Sequence, residues 1–137
     1  MSVFVDTSAW YAAADSGDRS NSRAITVLSG GDRLVTSDHV LVETWTLIRH
    51  RLGRVAAERF FDGLRSGVAI IETVTLADLE NAWSIGREFH DQDFSLVDRT
   101  SFAVMQRLGV FTAASFDADF AVFRFGLARD RAFEIIR

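Results

Sequence analysis

Five carboxylates in this 137-residue chain sit where acids are hard to explain by solubility alone. Asp6 directly follows the apolar run Val3-Phe4-Val5 and precedes two hydroxyl residues, Thr7 and Ser8. An acid abutting a buried strand must be hydrogen-bonded or paired. Glu43 is the only charge between Val40 and Ile48, and Asp98 opens the stretch Asp98-Arg99-Thr100-Ser101-Phe102. Asp117 and Asp119 flank a single alanine in Ser115-Phe116-Asp117-Ala118-Asp119-Phe120. Brought together, four or five ionised acids repel by several kcal/mol per close pair at intermediate dielectric, so the cluster requires cations. Oxygen-only ligands suit Mg²⁺ or Mn²⁺, which keep coordination positions for water and for substrate phosphate. Such a site activates water and stabilises the leaving oxygen of a phosphodiester.

Composition removes the competing chemistries. All fifteen basic residues are Arg, and Cys and Pro are absent. Thiolate nucleophiles and cysteine metal sites are therefore excluded, as are Schiff bases and the phosphate loop that depends on Lys. A net charge of −4 argues against a surface-wide nucleic-acid binder while leaving room for a local basic patch. Apolar residues at 48% and charged residues at 25% are ordinary globular usage. Residues 1–137 are expected to form a single domain. Neither a membrane span nor a secretory signal is recognisable, so a cytoplasmic protein without membrane contact is the expectation.

The elements that must position the acids follow from periodicity. Short apolar runs at Val3–Val5, Arg33–Thr36, Val68–Thr73, Thr112–Ser115 and Phe133–Ile136 read as strands. Helical spacing covers Ala9–Ala14, Asn21–Ser29, Asp38–Leu52, Arg54–Arg65, Thr75–His90 and Ser95–Leu108. Residues 38–65 read as a helical hairpin broken at Gly53. This alternation predicts an α/β fold, a three-layer α/β/α domain around a central, mostly parallel five-stranded sheet. Ligands of such sheets bind at the carboxyl ends of the strands. Asp6, Asp117 and Asp119 fall at that edge, while Glu43 shares a helical line with Val40 and Leu47, and Asp98 with Phe102 and Met105.

Each acid also has a plain structural reading. Ser95-x-x-Asp98 fits a helix capping box, as does Thr75-x-x-Asp78, to which no chemistry attaches. Asp117-x-Asp119 fits a turn or helix cap. Glu43 fits the rim of an amphipathic helix. Local spacing leaves both readings of Asp98 open.

Taken in order, the segments Val3-Phe4-Val5-Asp6-Thr7-Ser8-Ala9, Val42-Glu43, Asp93-Phe94-Ser95-Leu96-Val97-Asp98-Arg99-Thr100-Ser101-Phe102 and Ser115-Phe116-Asp117-Ala118-Asp119-Phe120 resemble the PIN-domain ribonucleases, specifically the VapC-type toxins of bacterial toxin–antitoxin pairs. The resemblance implies that Asp6, Glu43, Asp98 and Asp117 form a catalytic, metal-binding quartet for one or two Mg²⁺ or Mn²⁺ ions, with Asp119 as an accessory ligand. It implies that Thr7 and Ser8 are supporting hydroxyls and that Ser101 is positioned to hold water or a carboxylate. Asp93 matches a less essential family acid. Arg99 departs from the small residue common at its position, and is expected to point away from the metals, toward RNA or a second subunit. The implied reaction is hydrolysis of structured RNA, tRNA or rRNA, by metal-activated water. The implied partners are a second copy, forming a homodimer, and a small VapB-like antitoxin lying in a groove built partly from residues 38–65.

Arg49, Arg51, Arg54, Arg59 and Arg65 crowd the helical hairpin, where guanidinium groups suit phosphate contacts. Arg49, Arg51 and Arg54 are the candidate RNA contacts; the plain reading is a solvated face of a chain that lacks Lys. His39, four before Glu43, fits a surface pair. A haloacid-dehalogenase-like phosphohydrolase is an alternative, but it needs an Asp where Ser8 stands and a Lys that the chain lacks. A receiver domain likewise expects a Lys. A PIN-fold RNA-binding scaffold without catalysis is the remaining alternative.

Overall fold

Apolar runs too short to bury themselves pair into one sheet. In the computed structural model, which describes residues Met1–Arg137, the strands are β1 (Ser2–Val5), β2 (Arg33–Ser37), β3 (Ile70–Glu72), β4 (Thr112–Ala114) and β5 (Glu134–Ile136). Their spatial order is β3-β2-β1-β4-β5, and all four pairings are parallel, so the sheet is wholly rather than mostly parallel. Phe4 sets the register at the centre, opposite Val35 on one side and Ala113 on the other. The chain fills one side of β1 before crossing to the other. A topological switch point therefore lies between β1 and β4, where open parallel sheets bind their ligands.

The helices that flank this sheet are α1 (Thr7–Ala14), α2 (Asn21–Leu28), α3 (Asp38–Leu52), α4 (Arg54–Arg65), α5 (Leu76–Glu88), α6 (Leu96–Leu108) and the single turn α7 (Asp119–Val122). The expected hairpin forms with its break at Gly53, whose φ of 97° suits a residue without a Cβ. The third strand is shorter than its apolar run, because Val68 and Thr73 lie outside the ladder. The turn α7 has too few residues for a periodic pattern.

Two elements that carry acids are anchored by aromatic packing. Phe102, one turn after Asp98, stacks on Phe123 at 4.3 Å and meets Phe94 and Phe120 edge-on at 5.2 and 4.9 Å. Phe102 and Phe120 are fully buried, so α6 and the Asp117–Asp119 turn share one rigid floor. Truncating such a phenylalanine typically costs about 3–5 kcal/mol.

α5 and α6 begin with the same device. Thr75 and Ser95 each accept the backbone N–H of the Asp three residues on, and each Asp accepts the cap residue's N–H in return. What surrounds the two acids differs. Asp78 is clasped by the Arg107 guanidinium, with Nε 3.0 Å from Oδ1 and Nη2 3.0 Å from Oδ2. Arg107 Nη2 also donates to the Thr73 carbonyl at 3.2 Å, tying α6 to the start of α5.

Candidate active site

Asp6 leaves β1 and caps α1. Its Oδ1 accepts the Ala9 N–H at 3.0 Å and the Ser8 hydroxyl at 2.7 Å, while Oδ2 accepts the Ser115 hydroxyl at 2.7 Å. Oδ1 thus has two donors and Oδ2 one, which leaves Oδ2 with a free lone pair. The side chain is 4% exposed. Burial pushes its pKa up to about 6, against the pull of the Ser115 and Ser8 hydroxyls and the Ala9 N–H, and nearby Asp117 adds to the rise.

Across the switch point stand three more acids. One carboxylate oxygen from each of Asp98, Asp117 and Asp119 falls within 4.8 Å of the others, a spacing that could hold a divalent ion. Asp117 Oδ1 accepts the Asp119 N–H at 2.9 Å, which folds the turn, and the Asp117 N–H donates to Ser115 Oγ at 3.1 Å. Ser115 therefore links the Asp6 carboxylate to the Asp117 turn. Burial raises the Asp98 pKa to about 7, reinforced by a hydrogen bond with Asp119 and by the charges of Asp117 and Asp119. Asp119 is raised as well, by burial first, and Asp93 adds a further repulsion. Asp93 thus stands near the cluster in charge, though outside the trio.

The other expected residues divide. Glu43 is half-buried on α3 and shares a shallow surface cavity with Asp38, His39, Val42 and Val97, the residue before Asp98. It faces the first turn of α6 beside the trio and is not one of its members. Asp38 is committed elsewhere, accepting the Val74 N–H at 3.0 Å. His39 lines that cavity with Glu43, and its Nδ1 also lies 3.5 Å from Thr100 Oγ1 on α6. Thr7 Oγ1 is buried with no hydrogen-bond partner next to Asp6, an acceptor and donor left free for water or a cation. An all-oxygen donor set with an orphaned hydroxyl beside it fits a hard divalent ion.

Ser101 is given a different partner from the one expected. Its hydroxyl donates to the Val97 carbonyl at 2.8 Å, the usual outcome for a buried helical serine with an open i−4 carbonyl. Arg99 lies along α5, with Nη1 donating to the Ala82 carbonyl at 3.2 Å, and lines a surface cavity with Trp83 and Leu96. Its guanidinium crosses Gly86, where a Cβ would collide with it. Ser115 was missed as a site residue. Its only signal in the sequence is that it ends a strand run as Asp6 does; the pairing of β4 with β1 is what brings it to the acid.

The acids make stability depend on pH in a definite direction. Asp6, Asp98 and Asp119 have native pKa values above the ordinary 3.8. The native state therefore binds more protons than the unfolded chain between roughly pH 4 and 7, and stability falls as pH rises through that window. The lowered groups Asp15 and Asp78 act with opposite sign, below it. Metal-free protein is expected to melt several degrees lower at pH 8 than at pH 5, with added Mg²⁺ restoring most of the difference at pH 8 and little at pH 5. Calorimetry in a chelator reads this directly, and a melting temperature that rises toward pH 8 without metal would contradict the clustered-acid geometry.

The PIN domain family profile matches residues 3–126. The 23S rRNA-specific endonuclease VapC20 of Mycobacterium tuberculosis (strain CDC 1551 / Oshkosh) is 42% identical over 121 residues, covering 87% of this chain and 92% of that protein. The crystal structure of M. tuberculosis VapC20, described as a sarcin–ricin loop cleaving toxin, superposes with a TM-score of 0.82 at 38% identity over 85% of this chain and 91% of that one. VapBC2 from Rickettsia felis, crystallised with a DNA fragment from its promoter, shares the fold, with a TM-score of 0.68 at 12% identity over 98% of this chain and 97% of that one. The chain belongs to the PIN-domain family and, within it, to the VapC-type endonuclease toxins.

Proposed function

We propose that the protein is a divalent-metal-dependent endoribonuclease that cuts a ribosomal RNA loop. The observation that carries the reading is the convergence of Asp98, Asp117 and Asp119 within 4.8 Å, with Asp6 linked to their turn through Ser115. Asp6, Asp98, Asp117 and Asp119 would hold one or two Mg²⁺ or Mn²⁺ ions, and Glu43 completes the acidic wall from α3. Bound metal supplies a water of lowered pKa and charge stabilisation at phosphorus. Ser8 and Ser115 hold the Asp6 carboxylate in one orientation, and Thr7 offers a free hydroxyl for water at its side. Identity to a 23S rRNA-specific enzyme supports rRNA over tRNA as the substrate class. Membership in the PIN family sets aside the phosphohydrolase alternative, and the presence of every expected acid weighs against a non-catalytic scaffold.

An inhibitory antitoxin partner is part of this reading, and an apolar groove supports it. The residues Trp10, Ile25, Leu28, Ala56, Phe60 and Leu64 line an open groove of about 470 Å³ between α1, α2 and α4, apolar enough for the tail of a small VapB-like antitoxin. Leu76, Trp83 and Leu96 leave a second apolar face uncovered on α5 and α6, which suits a homodimer contact. No helix is long and apolar enough to cross a membrane, consistent with action on cytoplasmic RNA.

The test is to incubate the purified protein with ribosomal RNA and map new 5′ ends. One principal cut is expected with Mg²⁺ or Mn²⁺ and none in excess chelator. Undiminished cutting in the chelator would defeat the metal requirement, and an absence of any cut with metal would defeat the activity.

A further inference from the structure

Next to the acidic cluster lies a cavity of a different character. It has a volume of about 280 Å³ and opens between α1, the loop that follows it and the second half of α3. Ser8, Tyr11, Asp18, Arg19, Arg51 and Phe116 line it. Ser8 is the shared wall: its hydroxyl donates to Asp6 Oδ1 at 2.7 Å and accepts the Phe116 N–H at 2.8 Å. A chain of atoms that reaches the acids can therefore continue into this cavity without leaving the surface.

Its charge is arranged for an anion. Neither Arg19 nor Arg51 is among the ion-paired arginines, whereas Arg54, Arg65, Arg107 and Arg129 all are. Arg51 is nonetheless held in place, with its guanidinium 5.1 Å above the Tyr11 ring. Tyr11 is in turn locked by donating to Asp15 Oδ2 at 2.7 Å, and Asp15 accepts the Gly17 N–H at 2.9 Å. The Tyr11 hydroxyl and the Asp15 carboxylate also lie close to this guanidinium, so they hold part of its fork and leave the remaining N–H donors for phosphate. The one acid in the lining, Asp18, is turned into its own loop by the Ser20 N–H at 2.8 Å. Half-buried Phe116 adds an aromatic surface on which an unstacked base can lie. Of the three hairpin arginines marked as RNA contacts, only Arg51 lines this cavity.

We propose that this cavity is a nucleotide subsite for the RNA strand, in which Arg51 and Arg19 bind the phosphate next to the one cleaved and Phe116 supports its base. The proposal rests on the endoribonuclease reading, because it is the acids that define which phosphate is cut. Its role is to add affinity for the strand: cations beside an acidic centre attract the neighbouring phosphate in the ground state and the transition state alike.

The test uses a stem–loop RNA carrying the sarcin–ricin loop sequence, with a neutral methylphosphonate placed at one linkage at a time around the cut. Arg51→Gln and Arg19→Gln are each expected to raise KM about tenfold with kcat changed less than twofold, as loss of a ground-state phosphate contact requires. A neutral linkage one step from the cut is expected to slow the parent about tenfold and the double variant no further. Arg51→Lys, which keeps the charge, is expected to recover part of the loss. Unchanged KM in both Gln variants, or losses from variant and neutral linkage that multiply, overturns the subsite. Binding of the same RNA in the inactive Asp98→Asn background separates the two readings. If the parent cuts nothing but the Arg variants still lower the salt dependence of binding by about one phosphate contact each, the subsite stands and the nuclease reading falls. If the parent cuts and binding is indifferent to both arginines, only the subsite falls.

Discussion

The Asp98→Asn protein is expected to lose RNA cleavage by about a hundred- to a thousandfold while remaining folded, and at pH 8 without metal to melt higher than the parent. The two changes have one cause. Asp98 lies among Asp117 and Asp119, and burial with those neighbours raises its pKa to about 7. An amide in its place removes one charge from a repelling group, so the metal-free fold gains stability. The capping role survives, because an amide oxygen can still accept the Ser95 N–H that Asp98 Oδ2 accepts at 3.3 Å. The same change removes a charged ligand from the proposed cation site, and losses of preorganised electrostatic stabilisation are commonly about a hundred- to a thousandfold per group. Comparing 5′-end formation and thermal melting for parent and variant measures both. Full cleavage by the variant would reject Asp98 as a metal ligand; a melting temperature several degrees below the parent's at pH 8 without metal would reject the repulsion among Asp98, Asp117 and Asp119.

The second large effect concerns stability and lies outside the site. Arg107→Ala is expected to destabilise the protein by about 2–3 kcal/mol, between an exposed bridge and a fully buried ion pair, because Asp78 is buried while the Arg107 side chain is 35% exposed. Asp78 is 1% exposed, and the other donor to its carboxylate is the Thr75 backbone N–H at 2.9 Å. Burial alone would raise its pKa; the guanidinium and the Thr75 contacts hold it below the ordinary carboxylate range. The pair's contribution is therefore present above about pH 4 and lost as pH falls through the lowered value. Without Arg107 the carboxylate is buried and uncompensated, and α6 loses its tie to the Thr73 carbonyl. Urea unfolding at pH 7 gives the number. A loss below about 1 kcal/mol would mean that water reaches Asp78 and that the pair acts as a surface bridge. The Asp78→Ala/Arg107→Ala double variant is expected to recover part of the loss, since no buried charge then remains.

Much of the frame was legible in the residues themselves. Gly53 between two apolar stripes defines the α3–α4 hairpin, because only the break at a residue tolerant of positive φ lets both helices keep their buried faces. Val3-Phe4-Val5 followed by Asp6 marks a buried strand and its carboxyl end, and Asp6 lies there. The strand order was not legible, since short apolar runs carry no information about which run pairs with which. Nor were the side-chain hydrogen bonds of Ser101 and Arg99, whose orientation depends on which carbonyl or neighbouring helix lies within reach.

The sequence by itself determined which acids exist, which helix ends they cap, and that with neither Lys nor Cys in the chain a gathering of those acids must rely on metal or protons. It could not separate Thr75-x-x-Asp78 from Ser95-x-x-Asp98. Both form the same capping box, because a cap depends only on backbone N–H groups three residues away. Tertiary structure alone decided that Asp78 meets Arg107 and becomes a structural ion pair, whereas Asp98 meets Asp117 and Asp119 and becomes part of a candidate active site. It also brought Ser115 across 109 residues to hold Asp6. The charge around an acid is set by elements distant in sequence, and only packing the chain brings them to it.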